Sequence, residues 1–333
     1  MIITKTPFRI SLFGGGTDYP EWFCNNNGQV ISFSINKYCY ISTRFLPPYF
    51  DYNYRIRFFN EQKTKNINQI KNPIVKETLK FLQFEKKKIE IVHYADLPGM
   101  SGLGASSSFA VGIFNALSAL KKNRLTKKEL ADNAIFIERK LIGDKVGYQD
   151  QIAASYGGFN NIKFYKDSSF EVSKIKLSLN KIDQIENNFL VVYTGLQRYS
   201  KKITKNLATN TKSKKNELAL TQISKISDEA INLFKQKNLD LKILSELLNY
   251  QWFQKKQIAN GITNKKIDST YDFGMKNGAL GGKLLGAGGG GFVLFIVPDH
   301  NLNRFKKAFS NKVCMNIKID NVGSTVVHNS IED

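Results

Sequence analysis

The 333-residue chain is poor in several residues that carry protein chemistry: it has three cysteines, three histidines, two tryptophans and seven prolines. Cys24, Cys39 and Cys314 are odd in number and show no CxxC or Cys/His spacing, so neither a disulfide framework nor a zinc site is indicated. His93 lies in an alternating strand pattern, and His300 and His328 lie in polar tail segments without partners. No histidine-based triad can be argued from them. Eighteen apolar residues never run together, as a membrane span requires. The start, MIITKTPFRI, has too short an apolar stretch for a signal-peptide core. A cytoplasmic location and no membrane partner are therefore expected. Acidic residues are also scarce, 28 against 49 Lys+Arg, which leaves a formal charge of +21. Such an excess ordinarily points to nucleic acid or an anionic membrane. Here the lysines are dispersed among Asn and Ile (KTKNINQIKN, KNLATNTKSKKNEL) and form no basic stripe interleaved with aromatics. No nucleic-acid partner is expected, and the positive field suits small anionic substrates such as phosphates.

Glycine, by contrast, is gathered into three clusters: SLFGGGTDYP, DLPGMSGLGASSSF and GGKLLGAGGGGFVLFIV. In the last, Gly286, Gly288 and Gly291 satisfy GxGxxG spacing, but a buried strand, FVLFIV, follows the glycines where a dinucleotide-binding turn must open a helix. A GxxxxGK[ST] phosphate loop is absent too, because Asn277 stands where its first glycine should be and Leu284 follows Lys283. A tight turn between two strands is the plain alternative. The middle cluster has the right context, a strand (KKIEIVHY), a glycine turn and then a helix on which Phe109, Ile113, Phe114, Leu117 and Leu120 recur at helical spacing. Unpaired N–H groups and the positive end of the dipole at a helix N-terminus favour an anion. Ser106, Ser107 and Ser108 add hydroxyls that can donate to phosphate oxygens or ligate Mg²⁺; an ordinary serine N-cap is the simpler reading.

The remaining pattern is mixed. IITKTPFRISLF, GQVISFSI, YCYISTRF, NYRIRFF and KKIEIVHY predict strands, helices begin near Ser106 and Thr126, and GFNNIKFY with FEVSKIKL reads as a returning hairpin. A restart at NFLVVYTG leads into helices at about 200–237 and 241–258, then strand, turn, strand, helix and strand. The expectation is an α+β protein with domains at 1–187 and 188–333, the second an antiparallel α/β sandwich.

Two carboxylates stand out. Glu138 lies near the apolar face of the second helical pattern, and Asp150 follows a glycine-containing turn at the start of a further helix; a helix ion pair and a helix-start residue are the simpler readings of each. Arg9 sits on the first strand, ahead of Gly14, Gly15, Gly16 and Asp18. A carboxylate in a glycine-opened pocket suits sugar hydroxyls, and a guanidinium near Asp150 would offset charge on a transferring phosphoryl group.

Three ordered motifs, PFRISLFGGGTDYP, PGMSGLGASSSF and GGKLLGAGGGGF, resemble those of the GHMP small-molecule kinases. The resemblance runs from Pro7 to about Phe295. It implies an N-terminal βαβ-type domain, a C-terminal ferredoxin-like α/β sandwich, a site in the cleft between them, and ATP with Mg²⁺ as cofactors. Carried over, Pro98, Gly99, Ser101, Gly102, Leu103, Gly104, Ala105, Ser106, Ser107 and Ser108 hold the ATP phosphates. Ser106 and Glu138 hold Mg²⁺, with Ser107 not separable from Ser106. Asp150 is the catalytic base in a Gly-x-x-Asp-Gln pattern, and Arg9 is its basic partner. Gly15, Gly16, Thr17, Asp18, Tyr19, Arg198, Gly288 and Gly289 fall to the substrate. Gly15 and Gly16 replace the Glu and His of galactokinase, which argues against galactose and leaves room for a longer sugar. The implied activity is ATP-dependent phosphorylation of the anomeric hydroxyl of a phosphorylated sugar, with Arg198, Ser200 and Lys255 or Lys256 toward its distal phosphate. Other anomeric sugar kinases and a non-catalytic sugar or ATP sensor are the rivals, and a homodimer is left open.

Overall fold

A computed structural model describes residues 1–197 and 214–331. Arg198 and Ser200 lie outside the described residues. The first strand, β1 (Ile2–Phe13), pairs antiparallel along its length with the 18-residue β2 (Gly28–Phe45). Sequence patterning predicts two strands in that second region, divided near Asn36 and Lys37. They form one instead, because a register shift between Pro7 and Phe8 absorbs the two extra residues as a bulge.

The short helix α1 (Pro20–Asn26) links these strands, with proline at its first turn. Next come β3 (Tyr54–Arg57), β4 (Glu61–Thr64), α2 (Pro73–Phe81) and β5 (Ile89–Ala95). A glycine-containing loop leads into α3 (Ala105–Leu120), followed by α4 (Lys127–Phe136), a π-helical turn (Ile137–Leu141) and α5 (Gln149–Tyr156). The hairpin β6 (Phe159–Phe164) and β7 (Phe170–Lys174) returns to β2. Among the described residues this sheet has eight strands; with β12 (Thr325–Asn329) the last in the chain, their order is β12-β1-β2-β5-β3-β4, with β6 on β2 and β7 on β6, and only β3 and β5 run parallel. Helix α3 lies on β1 and β2, and Gly112 permits the approach: a Cβ there would be 2.9 Å from Thr6 Oγ1.

After α6 (Leu179–Asn188) a second sheet begins with β8 (Phe189–Tyr193). It continues through α7 (Lys214–Lys235), α8 (Leu241–Ile258), α9 (Lys265–Lys276), β9 (Gly281–Leu284), β10 (Phe292–Ile296), α10 (Leu302–Ala308) and β11 (Cys314–Asn316). The order β11-β8-β10-β9 is antiparallel throughout, the 4-1-3-2 arrangement of a ferredoxin-like sandwich. The last strand, β12 (Thr325–Asn329), pairs with β1 in the first sheet. The two sheets share apolar core: Phe8, Ile10, Phe33 and Ile35 of the first are buried in one cluster with Phe189, Val191, Leu294 and Ile296 of the second. Phe159 meets Phe234 edge-on at 4.9 Å between ring centroids. That shared core fixes the walls of the cleft between them.

Candidate active site

Arg9 is the hub of the cleft. It is 2% exposed, and its guanidinium grips Asp150 in a bidentate pair, Nε to Oδ1 and Nη2 to Oδ2, both at 2.6 Å. Its Nη1 donates to Gly102 O at 3.0 Å, and its backbone N–H donates to Leu103 O at 3.0 Å. One strand residue thus ties the helix start that bears Asp150 to the glycine loop before α3. Gly104 makes room for it, since a Cβ there would lie 3.2 Å from Arg9 Cγ. Planar, bidentate pairing of this kind orients the carboxylate as well as holding it.

The glycine loop ends at Gly104, which is left-handed (φ 79°) and is the N-cap of α3 with no side-chain capping hydrogen bond. A simple serine cap is therefore not what the serines do. The first-turn N–H groups of α3 have no side-chain cap, a geometry that can receive an anion. Ser106 Oγ donates to Glu138 Oε1 at 3.2 Å, and Ser107 also hydrogen-bonds Glu138. Ser108 points away, buried, with its hydroxyl donating to Pro7 O at 2.9 Å. Leu103 is buried in the core, while Pro98 and Gly99 are exposed at the mouth of the loop. Ser101, Gly102, Gly104, Ala105, Ser106 and Ser107 line the cleft; Leu103 and Ser108 support the loop from behind.

Glu138 stands on the π-helical turn, where the bulge directs it inward to 1% exposure. Its Oε2 accepts from Gln151 Nε2 at 2.6 Å. Burial is the main reason that its carboxyl is pushed up to about 7, against the hydrogen bonds from Gln151 and the serines. Among the described residues it makes no ion pair. A buried carboxylate beside a serine hydroxyl, short of positive charge, is a hard-oxygen pair that fits Mg²⁺, which typically takes one or two protein ligands and completes its shell with phosphates and water. No cluster of three or more His, Cys, Asp or Glu exists among the described residues to make an all-protein metal cage.

The first glycine cluster forms the other end. Asp18 is 1% exposed and accepts from Gly16 N at 2.9 Å and Gln149 N at 3.4 Å. Burial first, and then the nearby charge of Asp150, raise its pKa despite those backbone bonds. Gly147 is what allows this contact, since a Cβ there would sit 1.9 Å from Asp18 Oδ2. Gly15, Gly16, Asp18 and Tyr19 line the cleft with Arg9, Asp150 and Glu138. Thr17 does not: its hydroxyl donates to Gly14 O and Gln29 O at 2.8 and 2.9 Å and locks the turn.

Gly288 and Gly289 also stay off the cleft wall. A Cβ on Gly288 would be 2.7 Å from Ile262 Cα, and Gly289 N donates to Ile262 O at 2.9 Å. Their neighbours Gly286 and Ala287 line the cleft instead. Lys255 reaches it from α8, whereas Lys256 lies over the Trp252 ring at 5.7 Å. Residues that sequence reasoning passed over are Ser11, Gln149, Gln151 and Lys283. Gln151 had a signal in its place beside Asp150; Lys283 had none beyond the motif that contains it.

Arginine-held carboxylate, glycine loop and buried serine–glutamate pair meet in one cleft, an arrangement chemically suited to phosphoryl transfer. The GHMP kinases N terminal domain model matches residues 73–158 and the GHMP kinases C terminal model residues 230–314. The chain belongs to the GHMP kinase family, whose members are ATP-dependent, and it is a sugar kinase, a phosphotransferase acting on a sugar hydroxyl. It is 31% identical over 321 residues to the D-glycero-alpha-D-manno-heptose 7-phosphate kinase of Campylobacter jejuni, covering 92% of each chain. It is 25% identical to the bifunctional fucokinase/GDP-fucose pyrophosphorylase of Arabidopsis thaliana, covering 89% of this chain and 30% of that protein. In fold it is similar to a D-glycero-D-manno-heptose 1-phosphate kinase from Bacteroides thetaiotaomicron, with a TM-score of 0.78 at 23% identity and 99% of each chain covered. The galactokinase of Lactococcus lactis, complexed with galactose, gives a TM-score of 0.75 at 20% identity, covering 97% of this chain and 94% of that one. No helix among the described residues is long and apolar enough to cross a membrane.

Proposed function

We propose that the protein transfers the γ-phosphoryl group of ATP to the anomeric hydroxyl of D-glycero-D-manno-heptose 7-phosphate, giving the 1,7-bisphosphate for nucleotide-activated heptose and surface polysaccharide, in the cytoplasm. The relative at 31% identity over 92% of both chains supports this sugar over others of the family. The observation that carries the chemistry is the Arg9–Asp150 pair, set between the glycine loop and Asp18.

In this reading Asp150 takes the proton of the attacking hydroxyl, and Arg9 fixes its orientation and offsets charge on the phosphoryl group in transit. Asp18 hydrogen-bonds the sugar, with Gly15 and Gly16 leaving space for the longer chain. Backbone N–H groups between Gly102 and Ser107 hold the phosphates. Ser106 and Glu138 would hold Mg²⁺, which when bound neutralises phosphate oxygens; Ser107 shares the Glu138 contact, and Gln151 keeps that carboxylate turned inward.

A substrate panel with ATP tests the reading. The heptose 7-phosphate should be turned over with the highest kcat/KM among it, the free heptose, fucose and galactose, and phosphorus NMR should place the new phosphate on C1. Preference for free fucose or galactose would replace this reading with another anomeric sugar kinase. The family membership gives no support to a sensor without turnover.

A further inference from the structure

One group of cations in the cleft has no role in the arrangement around Asp150 and Glu138. Lys283, on β9, is 1% exposed, and its Nζ donates to the carbonyl oxygens of Ser11 at 3.0 Å and Leu12 at 2.6 Å. Among the described residues it makes no ion pair. Lys255, buried on α8, lines the same cleft and donates to Gly286 O. Burial, followed by the charges of Lys255 and Arg9, holds the Lys283 ammonium well below its ordinary range. Ser11 is 5% exposed and lines the cleft, and its Oγ is a buried hydroxyl with no hydrogen-bond partner. Gly15 keeps it open, because a Cβ at that position would lie 3.3 Å from Ser11 Oγ. A buried ammonium bonded to carbonyl oxygens beside an orphaned hydroxyl on the same cleft wall is suited to receive an anion.

We propose that Lys283, Lys255 and Ser11 form a seat for a phosphate dianion carried by the acceptor sugar, distinct from the phosphoryl group being transferred, and that this seat makes the enzyme choose a phosphorylated sugar over a free one. The proposal rests on the sugar-phosphate reading above and assigns that phosphate a place. It lies toward Gly15 and Asp18, on the wall built by β1, β9 and α8, whereas Ser106 and Glu138 mark the nucleotide end. The same dianion chemistry could come from the terminal phosphate of ATP, so both sources are tested.

The experiment compares kcat/KM for D-glycero-D-manno-heptose 7-phosphate and for hexose 6-phosphates with that for the unphosphorylated sugars, together with the KM for ATP, in wild type, Lys255→Met, Lys283→Met and Ser11→Ala. Each lysine substitution should lower the preference for the phosphorylated sugar by about 10- to 100-fold, the loss of one charge-assisted hydrogen bond. Ser11→Ala should lower it roughly fivefold, and the KM for ATP should stay within about twofold. If Lys283→Met does not fold, Lys255→Met and Ser11→Ala decide the question. A raised KM for ATP with sugar preference intact moves the anion to the nucleotide and overturns the seat, and unchanged values throughout reduce the lysines to bracing. If wild type uses the heptose 7-phosphate but the variants keep its preference, the seat fails and the assigned substrate stands. Should wild type instead prefer another phosphorylated sugar, with the preference lost in the variants, the assigned substrate fails and the seat stands. A wild type indifferent to sugar phosphorylation overturns both.

Discussion

The glycine loop before α3 and the glycine loop between β9 and β10 look alike as strings of residues, yet they do opposite work. In the first, two of the three glycines face open space or a side chain: nothing lies within 4 Å of a Cβ placed on Gly99, and Gly104 yields to Arg9. In the second, they face backbone. A Cβ on Gly291 would be 2.2 Å from Ser101 O, one on Gly290 would be 2.7 Å from Leu196 O, and Phe292 N donates to Ser101 O at 3.1 Å. Gly102 reciprocates, with a Cβ position 2.7 Å from Leu285 O. The later loop is therefore the brace that holds the earlier one in shape. Glycine at a ligand site and glycine at a packing contact are told apart by what would meet the missing Cβ, which spacing does not reveal.

Asp150→Asn strikes the cleft side, at the proposed catalytic base, and should have the largest effect. Turnover should fall by roughly 10²–10⁴-fold, as for loss of a general base, with nucleotide affinity nearly intact; steady-state kinetics beside equilibrium ATP-analogue binding check it, and near-normal turnover would remove Asp150 from the role. Gly291→Ala strikes the brace. It adds a backbone clash at a left-handed position (φ 95°), so denaturant unfolding should show a loss of roughly 2–4 kcal/mol. Gly99→Ala, in the open loop, should stay within about 0.5 kcal/mol. Similar losses at the two positions would erase the distinction between the loops.

A further effect, of size between those of the two glycine substitutions, is expected from Glu138. Its carboxyl is raised from 4.5 to about 7 in the folded protein, so over that range the folded state keeps a proton that the unfolded chain has released. Its contribution to the stability of the metal-free protein is fully present below pH 4.5 and is lost as pH rises through about 7, a change of at most about 3 kcal/mol. Thermal melts in chelator from pH 5 to 8 should show Glu138→Gln gaining on wild type toward pH 8. Parallel curves for the two proteins would contradict the assigned burial effect.

Local pattern was enough to find the elements that carry the site. Alternation marked β1 and β5, helical spacing marked α3, and the turn before Asp150 was readable from its glycine. Where the reading went astray, the deciding contact came from far along the chain. Nothing local to Asn36 and Lys37 says that β2 continues through them, since the bulge that admits them lies against Pro7 and Phe8 of another strand. Thr17 sits in the motif yet turns its hydroxyl to the backbone of Gln29. Ser108 follows Ser106 and Ser107 but rotates some 200° beyond Ser106 around the helix, at about 100° per residue, and meets Pro7 instead of the cleft.

The sequence by itself determined the three ordered glycine motifs, the glycine-led start of α3, and the charged residues Arg9, Asp18, Glu138 and Asp150, because these depend on residue type and short spacing. Tertiary structure alone decided which of them meet. Arg9 reaches Asp150 across 141 positions, and Lys283 reaches Ser11 across 272. Such partners are chosen by the packing of two sheets on a shared core, and the free energy of that packing is spread over residues whose local patterns name no partner.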